Sequence, residues 1–209
     1  MIYTHIAYAP AECEKNIGCA YNKFMEIIPN DDDWGCFIDH DAMFTTSTWY
    51  NQINEIIEKN PSVGAFGART NRIAKKYQLI GNIDPYNHDI KYHRKIGEYL
   101  QKRYNHETLS VERKTRPKGF GGVFILLKKS TWKAIRGFKK TGFTGVDDDL
   151  RSRLHRAKIS FHIMNGLYVY HWYRADNPYS HGHKRIVKIN KSYQKYNKEN
   201  FDLDKIFLY

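Results

Sequence analysis

The first 68 residues alternate between two hydrophobic periods, and this limits the fold more than any other feature of the chain. Ile2–Ala9 (IYTHIAYA) reads as a short strand stopped at Pro10, which has no amide hydrogen to give a ladder. Ile17, Ala20, Tyr21, Phe24 and Ile28 then recur at helical spacing as far as Pro29-Asn30. Trp34–Ile38 is a strand of the buried kind that runs into Asp39-His40-Asp41. Trp49, Ile53, Ile56 and Ile57 form a second helical stripe closed by Asn60-Pro61, and Val63–Ala68 is a third strand. Strand and helix in turn predict an α/β domain built on a mostly parallel sheet flanked by helices.

Past residue 68 the pattern loosens. Residues 69–118 are basic and rich in Tyr and His, with one helix expected at about Ile90–Tyr104, and they read as a substrate-facing insertion. Phe120–Lys128 (FGGVFILLK) is a strand opened by two glycines, and Thr131–Ile135 is a short helix ended at Gly137. Asp147–Arg156 is a helix with Leu150 and Leu154 on its inner face, followed by strands at Ile159–Ile163 and Leu167–Tyr170. Lys184–Tyr196 has the pattern of a basic amphipathic tail helix. No repeat or linker interrupts the 209 residues, so a single compact domain is expected.

The longest apolar run, Phe120–Leu127, is far short of a membrane span, and the N-terminus lacks the order of a secretory signal. The three cysteines, Cys13, Cys19 and Cys36, are odd in number and show no CxxC. That argues against a disulfide framework and a thiolate zinc site, and for a reduced, cytoplasmic protein.

Charge is uneven. Residues 1–68 hold ten acidic and three basic side chains, while the whole chain carries +12. An acidic pocket opposed to a basic, phosphate-attracting surface is one reading, and a solvated exterior is the other.

The candidates for chemistry are acidic. Asp39 and Asp41 stand two apart at the C-terminal end of a strand, the edge where open α/β sheets bind ligands. Residues two apart project to the same side of an extended chain, and two carboxylates converging on one point favour a cation between them. Oxygen ligands suit Mg²⁺ or Mn²⁺, which bridge readily to phosphates. Asp147-Asp148-Asp149 opens a helix, where one carboxylate is an ordinary cap, but three need compensation. Arg151 and Arg153 or a cation can supply it, or one Asp serves as a general base. His171, in the run Tyr168–Arg174, and the pair His181 and His183 add nitrogen donors.

Taken together, Phe120–Leu154 (FGGVFILLKKSTWKAIRGFKKTGFTGVDDDLRSRL) resembles the second half of the catalytic domain of GT-A-fold glycosyltransferases, above all β-1,4-galactosyltransferases and family 2 enzymes. The shared signs are a Gly-Gly strand, an aromatic residue in a short helix, Gly-Phe, and an acidic cluster followed by Leu-x-x-Arg. Asn16-Ile17-Gly18-Cys19-Ala20-Tyr21-Asn22 is similar to the helix that precedes the D-x-D strand in family 2. The resemblance covers roughly residues 1–68 and 119–174, in a shortened form. Only 38 residues precede Asp39, and Val146 stands where the galactosyltransferases carry Glu.

The resemblance implies a GT-A-like (Rossmann-like) single domain. Residues 1–68 would bind nucleotide and metal, 119–174 would hold sugar and acceptor, and 175–209 would form a basic loop and tail. It implies a metal-dependent enzyme that moves a sugar from a nucleotide-diphosphate donor, expected to be a UDP-sugar, to a hydroxyl of a glycan, lipid-linked or other acceptor. Inversion at the anomeric carbon is inherited from the matched families. Asp41 and His171 would bind Mn²⁺ or Mg²⁺, and Asp39 the metal or the ribose. Asp147 would be the general base, with Asp148 orienting hydroxyls beside it. Gly121 and Gly122 would let the donor sugar approach the backbone. Tyr8 and Arg174 fall among the donor contacts, and the loop Arg174–Arg185 would close over the diphosphate. The basic, aromatic segments suit an acceptor sugar stacked on Tyr, Trp172 or Trp132, or an acceptor bearing phosphate.

Two rival readings use the same residues. A basic nucleic-acid-binding protein would explain the charge, but no recognition motif is present and the acidic first third repels a polyanion, so no nucleic acid is expected. A metal-dependent phosphohydrolase would explain the carboxylates but not the Gly-Gly and Gly-Phe segments. No membrane span is expected, and peripheral contact would fall to the basic tail.

Overall fold

In the computed structural model, the elements follow in the order β1 (Ile2–His5), α1 (Ile17–Ile27), β2 (Trp34–Ile38), β3 (Ala42–Phe44), α2 (Trp49–Lys59), β4 (Val63–Thr70), α3 (Ile90–Tyr104), β5 (Thr108–Ser110), β6 (Phe124–Lys128), α4 (Lys129–Ala134), α5 (Val146–Arg156) and β7 (Ser160–His171). The structure describes residues 1–5, 10–73, 75, 77–81, 83–84, 86–111, 120–139, 142, 144–172, 184 and 188. Among them no helix is long and apolar enough to cross a membrane.

The class is α/β, and the seven described strands form one sheet in the order β1-β2-β6-β4-β7-β3, with β5 beside β7. The sheet is mixed, which corrects the expectation of a mostly parallel one. β1 and β2 run parallel, as a strand–helix–strand unit requires. β6, however, lies between β2 and β4 and runs antiparallel to both, and β3 runs antiparallel to β7. β1, β2 and β4 therefore share a direction, as the alternation of the first 68 residues demands. The reversed strands come from pairings with distant segments, which a periodicity does not reveal.

The chain divides into two units. The first takes Met1–His40, Asn60–Gly67 and Ser110–Ile163. Its helix α1 starts at Asn16, whose side chain accepts the Cys19 N–H at 2.9 Å. It ends at Ile28, held extended because Pro29 follows. Gly35 lets α1 lie close on β2, since a Cβ there would sit 2.5 Å from the Met25 sulfur. Phe37 is wrapped by Tyr21, Phe24 and Phe138 at ring separations of 4.2 to 5.6 Å. Asn22 clips a remote segment to α1: its Oδ1 accepts from the Phe138 amide and the Trp132 indole, and its Nδ2 donates to the Phe138 carbonyl. The buried Lys129 donates to the Met25 and Glu26 carbonyls, so its ammonium meets the negative end of α1. Burial pushes its pKa down. Cys13 and Cys19 are joined as a disulfide and Cys36 is a buried thiol, which corrects the reading of three reduced thiols. A short turn at Ala11–Cys13 brings the first cysteine back onto the opening turn of α1.

The second unit takes Asp41–Lys59, Ala68–Leu109 and Met164–Tyr209. Ile80, Ile83, Ile96, Leu100 and Tyr168 form its core, so much of the segment expected to be an insertion is load carried inside the fold. α3 begins at Asp89, whose carboxylate accepts the Lys91 N–H. Gly97 is required in it, because a Cβ would fall 2.1 Å from the Thr45 hydroxyl, itself donating to the Tyr168 carbonyl. β7 is one strand where the sequence reads two: Gly166 does not break it but accommodates the Asn105 carbonyl, 2.7 Å from where a Cβ would stand.

Candidate functional site

The connection from β2 to β3 is three residues long, Asp39-His40-Asp41, too short for any helix to intervene. Asp39 still belongs to the ladder, since its amide donates to the Val123 carbonyl at 3.1 Å. Asp41 directly precedes β3, and its carbonyl accepts the Trp172 N–H at 2.9 Å. The β3–β7 register then sets His171 opposite Ala42, next to Asp41 in the chain.

His171 is 2% exposed and is held at three points. The Asn71 side chain accepts its N–H at 2.8 Å and donates to its carbonyl at 3.1 Å. Its ring Nδ1 lies 2.8 Å from the Arg72 carbonyl. A carbonyl only accepts, so Nδ1 carries a hydrogen, and Nε2 is the ring nitrogen turned toward Asp41. That atom stands 3.3 Å from Asp41 Oδ1. A lone pair and a carboxylate oxygen repel at that distance unless a proton or a cation lies between them. An outer hydrogen bond to a backbone carbonyl is also how ligating histidines are commonly oriented.

Asp39, Asp41 and His171 each offer one ligand atom, and the three atoms lie within 4.8 Å of one another. Two carboxylates and one imidazole make a donor set suited to a hard or borderline divalent ion such as Mn²⁺ or Mg²⁺. These are the three residues expected as ligands.

The second acidic cluster sorts itself. Gly145, at φ +88°, takes the N-cap position of α5, so none of the three aspartates caps it. Asp148 faces Arg151 at 3.3 Å, and Asp149 faces Arg153 at 2.6 Å, both on the same helix. Asp147 accepts the Asp148 N–H on Oδ1 and lies beside Gly122. A Cβ on Gly122 would meet Asp147 Cβ at 3.6 Å, ordinary contact, so the fold itself does not demand glycine there. Gly121 is buried, and both glycines precede β6 rather than open it.

Sequence reading missed Tyr21 as part of this neighbourhood. Burial drives its phenol pKa up, and the charges of Asp39 and then Asp147 push it the same way. One buried hydroxyl in the first unit thus senses both carboxylates. It also missed Asn71 and Arg72, which hold His171 from a hundred residues away. No motif marks them. Arg72 is fully buried, and its charge opposes the effect of Asp41 on Tyr170, whose pKa burial raises. Tyr8, Arg174, His181 and His183 lie outside the described residues, as do the Arg174–Arg185 loop and the tail helix apart from Lys184 and Lys188.

Comparison with known protein families and with curated proteins returns no match.

Proposed function

We propose that this chain is a metal-dependent glycosyltransferase of GT-A type, taking a sugar from a UDP-sugar to a hydroxyl of a glycan, lipid-linked or other acceptor. The observation that carries the reading is the convergence of Asp39, Asp41 and His171, with the His171 ring turned by the Arg72 carbonyl so that Nε2 faces Asp41. Further support comes from the closeness of Gly122 and Asp147, which brings the Gly-Gly segment and the expected base side by side.

In this reading Asp39, Asp41 and His171 hold Mn²⁺ or Mg²⁺, which when bound supplies Lewis-acid stabilisation of the diphosphate. Asp147 accepts the proton of the acceptor hydroxyl while that oxygen forms its bond to the anomeric carbon. The bond from the anomeric carbon to the diphosphate oxygen breaks, and the nucleoside diphosphate leaves with the electron pair. Attack opposite the leaving group inverts the centre. Gly121 and Gly122 admit the donor sugar, Asp148 stays with Arg151 at the edge of the acceptor site, and Tyr8 and Arg174 are assigned to the donor. The reading keeps the chain in the cytoplasm, where the Cys13–Cys19 bond would be open to reduction.

Calorimetric titration of UDP, with and without Mn²⁺, into wild type and Asp41→Ala tests it. The expected result is metal-dependent binding that the substitution abolishes. Binding of GDP, CDP or dTDP in place of UDP would correct the nucleotide. Phosphodiester cleavage without any sugar donor would replace the reading with a phosphohydrolase.

A further inference from the structure

Sequence alone offers Trp132 and Trp172 as stacking surfaces for a sugar, and the structure separates them. The Trp132 indole N–H is committed to Asn22 at 2.9 Å, and the Lys129 ammonium sits 4.7 Å from its ring. Trp132 is thus a packing residue of the first unit.

Trp172 is placed differently. It directly follows His171 and is 40% exposed, and its amide is pinned by the Asp41 carbonyl. The His88 ring lies against it at 4.3 Å, tilted by 41°. His88 is fixed in turn by the Tyr170 hydroxyl, 2.8 Å from its Nδ1. Tyr86 is 39% exposed, with the Arg72 guanidinium 5.4 Å from its ring centre.

Two backbone amides around Tyr86 and His88 are held by neighbouring side chains. Asp84 accepts the Tyr86 N–H at 2.9 Å, and Asn87 accepts the Asp89 N–H at 2.8 Å. The Asn87 carbonyl is 2.7 Å from His93 Nε2, inside the unit's core. Rings already held in place lose little freedom when a ligand arrives.

We propose that Trp172, His88 and Tyr86 form a stacking platform for a pyranose ring, that of the acceptor sugar. The assignment of the ring to the acceptor rests on the glycosyltransferase reading. A pyranose has an apolar C–H face and a rim of hydroxyls. Exposed aromatic faces bury the first, while an imidazole and a phenol hydroxyl bond the second. Both Trp172 and the metal trio are anchored on Asp41, so a ring on this platform would lie close to the ion that holds the donor diphosphate.

Saturation-transfer NMR on the full chain, with methyl β-glucoside, methyl β-galactoside and methyl β-N-acetylglucosaminide as probes, tests the proposal. Saturation of ring C–H protons is expected, weakened about two- to tenfold in Trp172→Ala and largely retained in Trp172→Phe. UDP–Mn²⁺ binding should be unchanged in Trp172→Ala, and His88→Ala provides a second, independent loss. No saturation of any probe in wild type, with or without UDP and Mn²⁺, would overturn the proposal. So would an unchanged signal in Trp172→Ala. Weaker binding of a UDP-sugar, relative to UDP, with glycosides unaffected would move the ring to the donor. Probes that bind through Trp172 while UDP never binds would leave the platform standing and sink the glycosyltransferase reading.

Discussion

Asn71 grips the backbone of His171 from both sides, accepting its N–H and donating to its carbonyl. The side chain thereby does for one residue what a neighbouring strand does for a ladder. Because Arg72 follows directly, its carbonyl meets His171 Nδ1, and this contact orients the imidazole. Asn71→Ala should weaken Mn²⁺ binding by about 10–100-fold, the usual cost of losing an outer-shell partner. Titration followed by electron paramagnetic resonance of free Mn²⁺ would read this. Unchanged affinity would show that the ring needs no such support.

Asp147 and Asp148 should separate kinetically. Asp147→Asn is expected to lower the transfer rate by about 10²–10⁴ with UDP affinity intact, as loss of a general base does. Asp148→Asn removes a carboxylate already facing Arg151 at the surface, and should cost less than about tenfold. Equal losses would assign the proton transfer to the pair.

Two glycines offer a contrast between function and packing. Gly97→Ala drives a methyl into the Thr45 hydroxyl and should destabilise the chain by about 1–3 kcal/mol in urea unfolding. Gly122→Ala meets only ordinary contact, so stability should hold within about 0.5 kcal/mol. Its effect should appear instead as weaker binding of the UDP-sugar than of UDP. A destabilised Gly122→Ala would make that glycine structural.

Acid should loosen the second unit through His93. This ring is fully buried, between the Tyr168 hydroxyl at Nδ1 and the Asn87 carbonyl at Nε2, and burial holds its pKa below the ordinary value. Below about pH 6.5 the unfolded chain therefore binds more protons than the folded one, and stability falls as pH falls. Above that value this contribution is fully present and flat. The urea midpoint should be lower at about pH 5.5 than at about pH 7.5. The difference should shrink in His93→Gln, leaving the part owed to His88, whose pKa burial also lowers.

The Cys13–Cys19 bond closes a short loop at the start of α1. Cys13→Ser should lower stability by about 2 kcal/mol, measured against wild type without reductant. Equal midpoints with and without reductant would show that the bond contributes nothing.

The helices were legible because each buries one stripe. Ile17 through Ile27, Trp49 through Lys59 and Ile90 through Tyr104 carry apolar residues at the right period, between clear stops. Asp39 and Asp41 were legible as candidates because residues two apart at a strand end project to one side, where two carboxylates favour a cation, and His171 was legible through the resemblance. What periodicity hides is partnership. Nothing in Asn71-Arg72 announces that it will hold His171, and nothing in Phe124–Lys128 says that it will enter between β2 and β4. Strand β3 is only three residues long, too short for alternation to register. The two cysteines are six apart, so only the turn between them reveals that they meet.

The position of β6 also sets an order of events during synthesis. β2 and β4 are both made early, yet each pairs with Phe124–Lys128, which begins more than fifty residues beyond the end of β4. Until that segment leaves the ribosome, the edges of β2 and β4 that it pairs in the folded sheet lack that partner. A nascent chain of this protein has a long interval in which chaperones, or another copy of itself, can take the place reserved for β6.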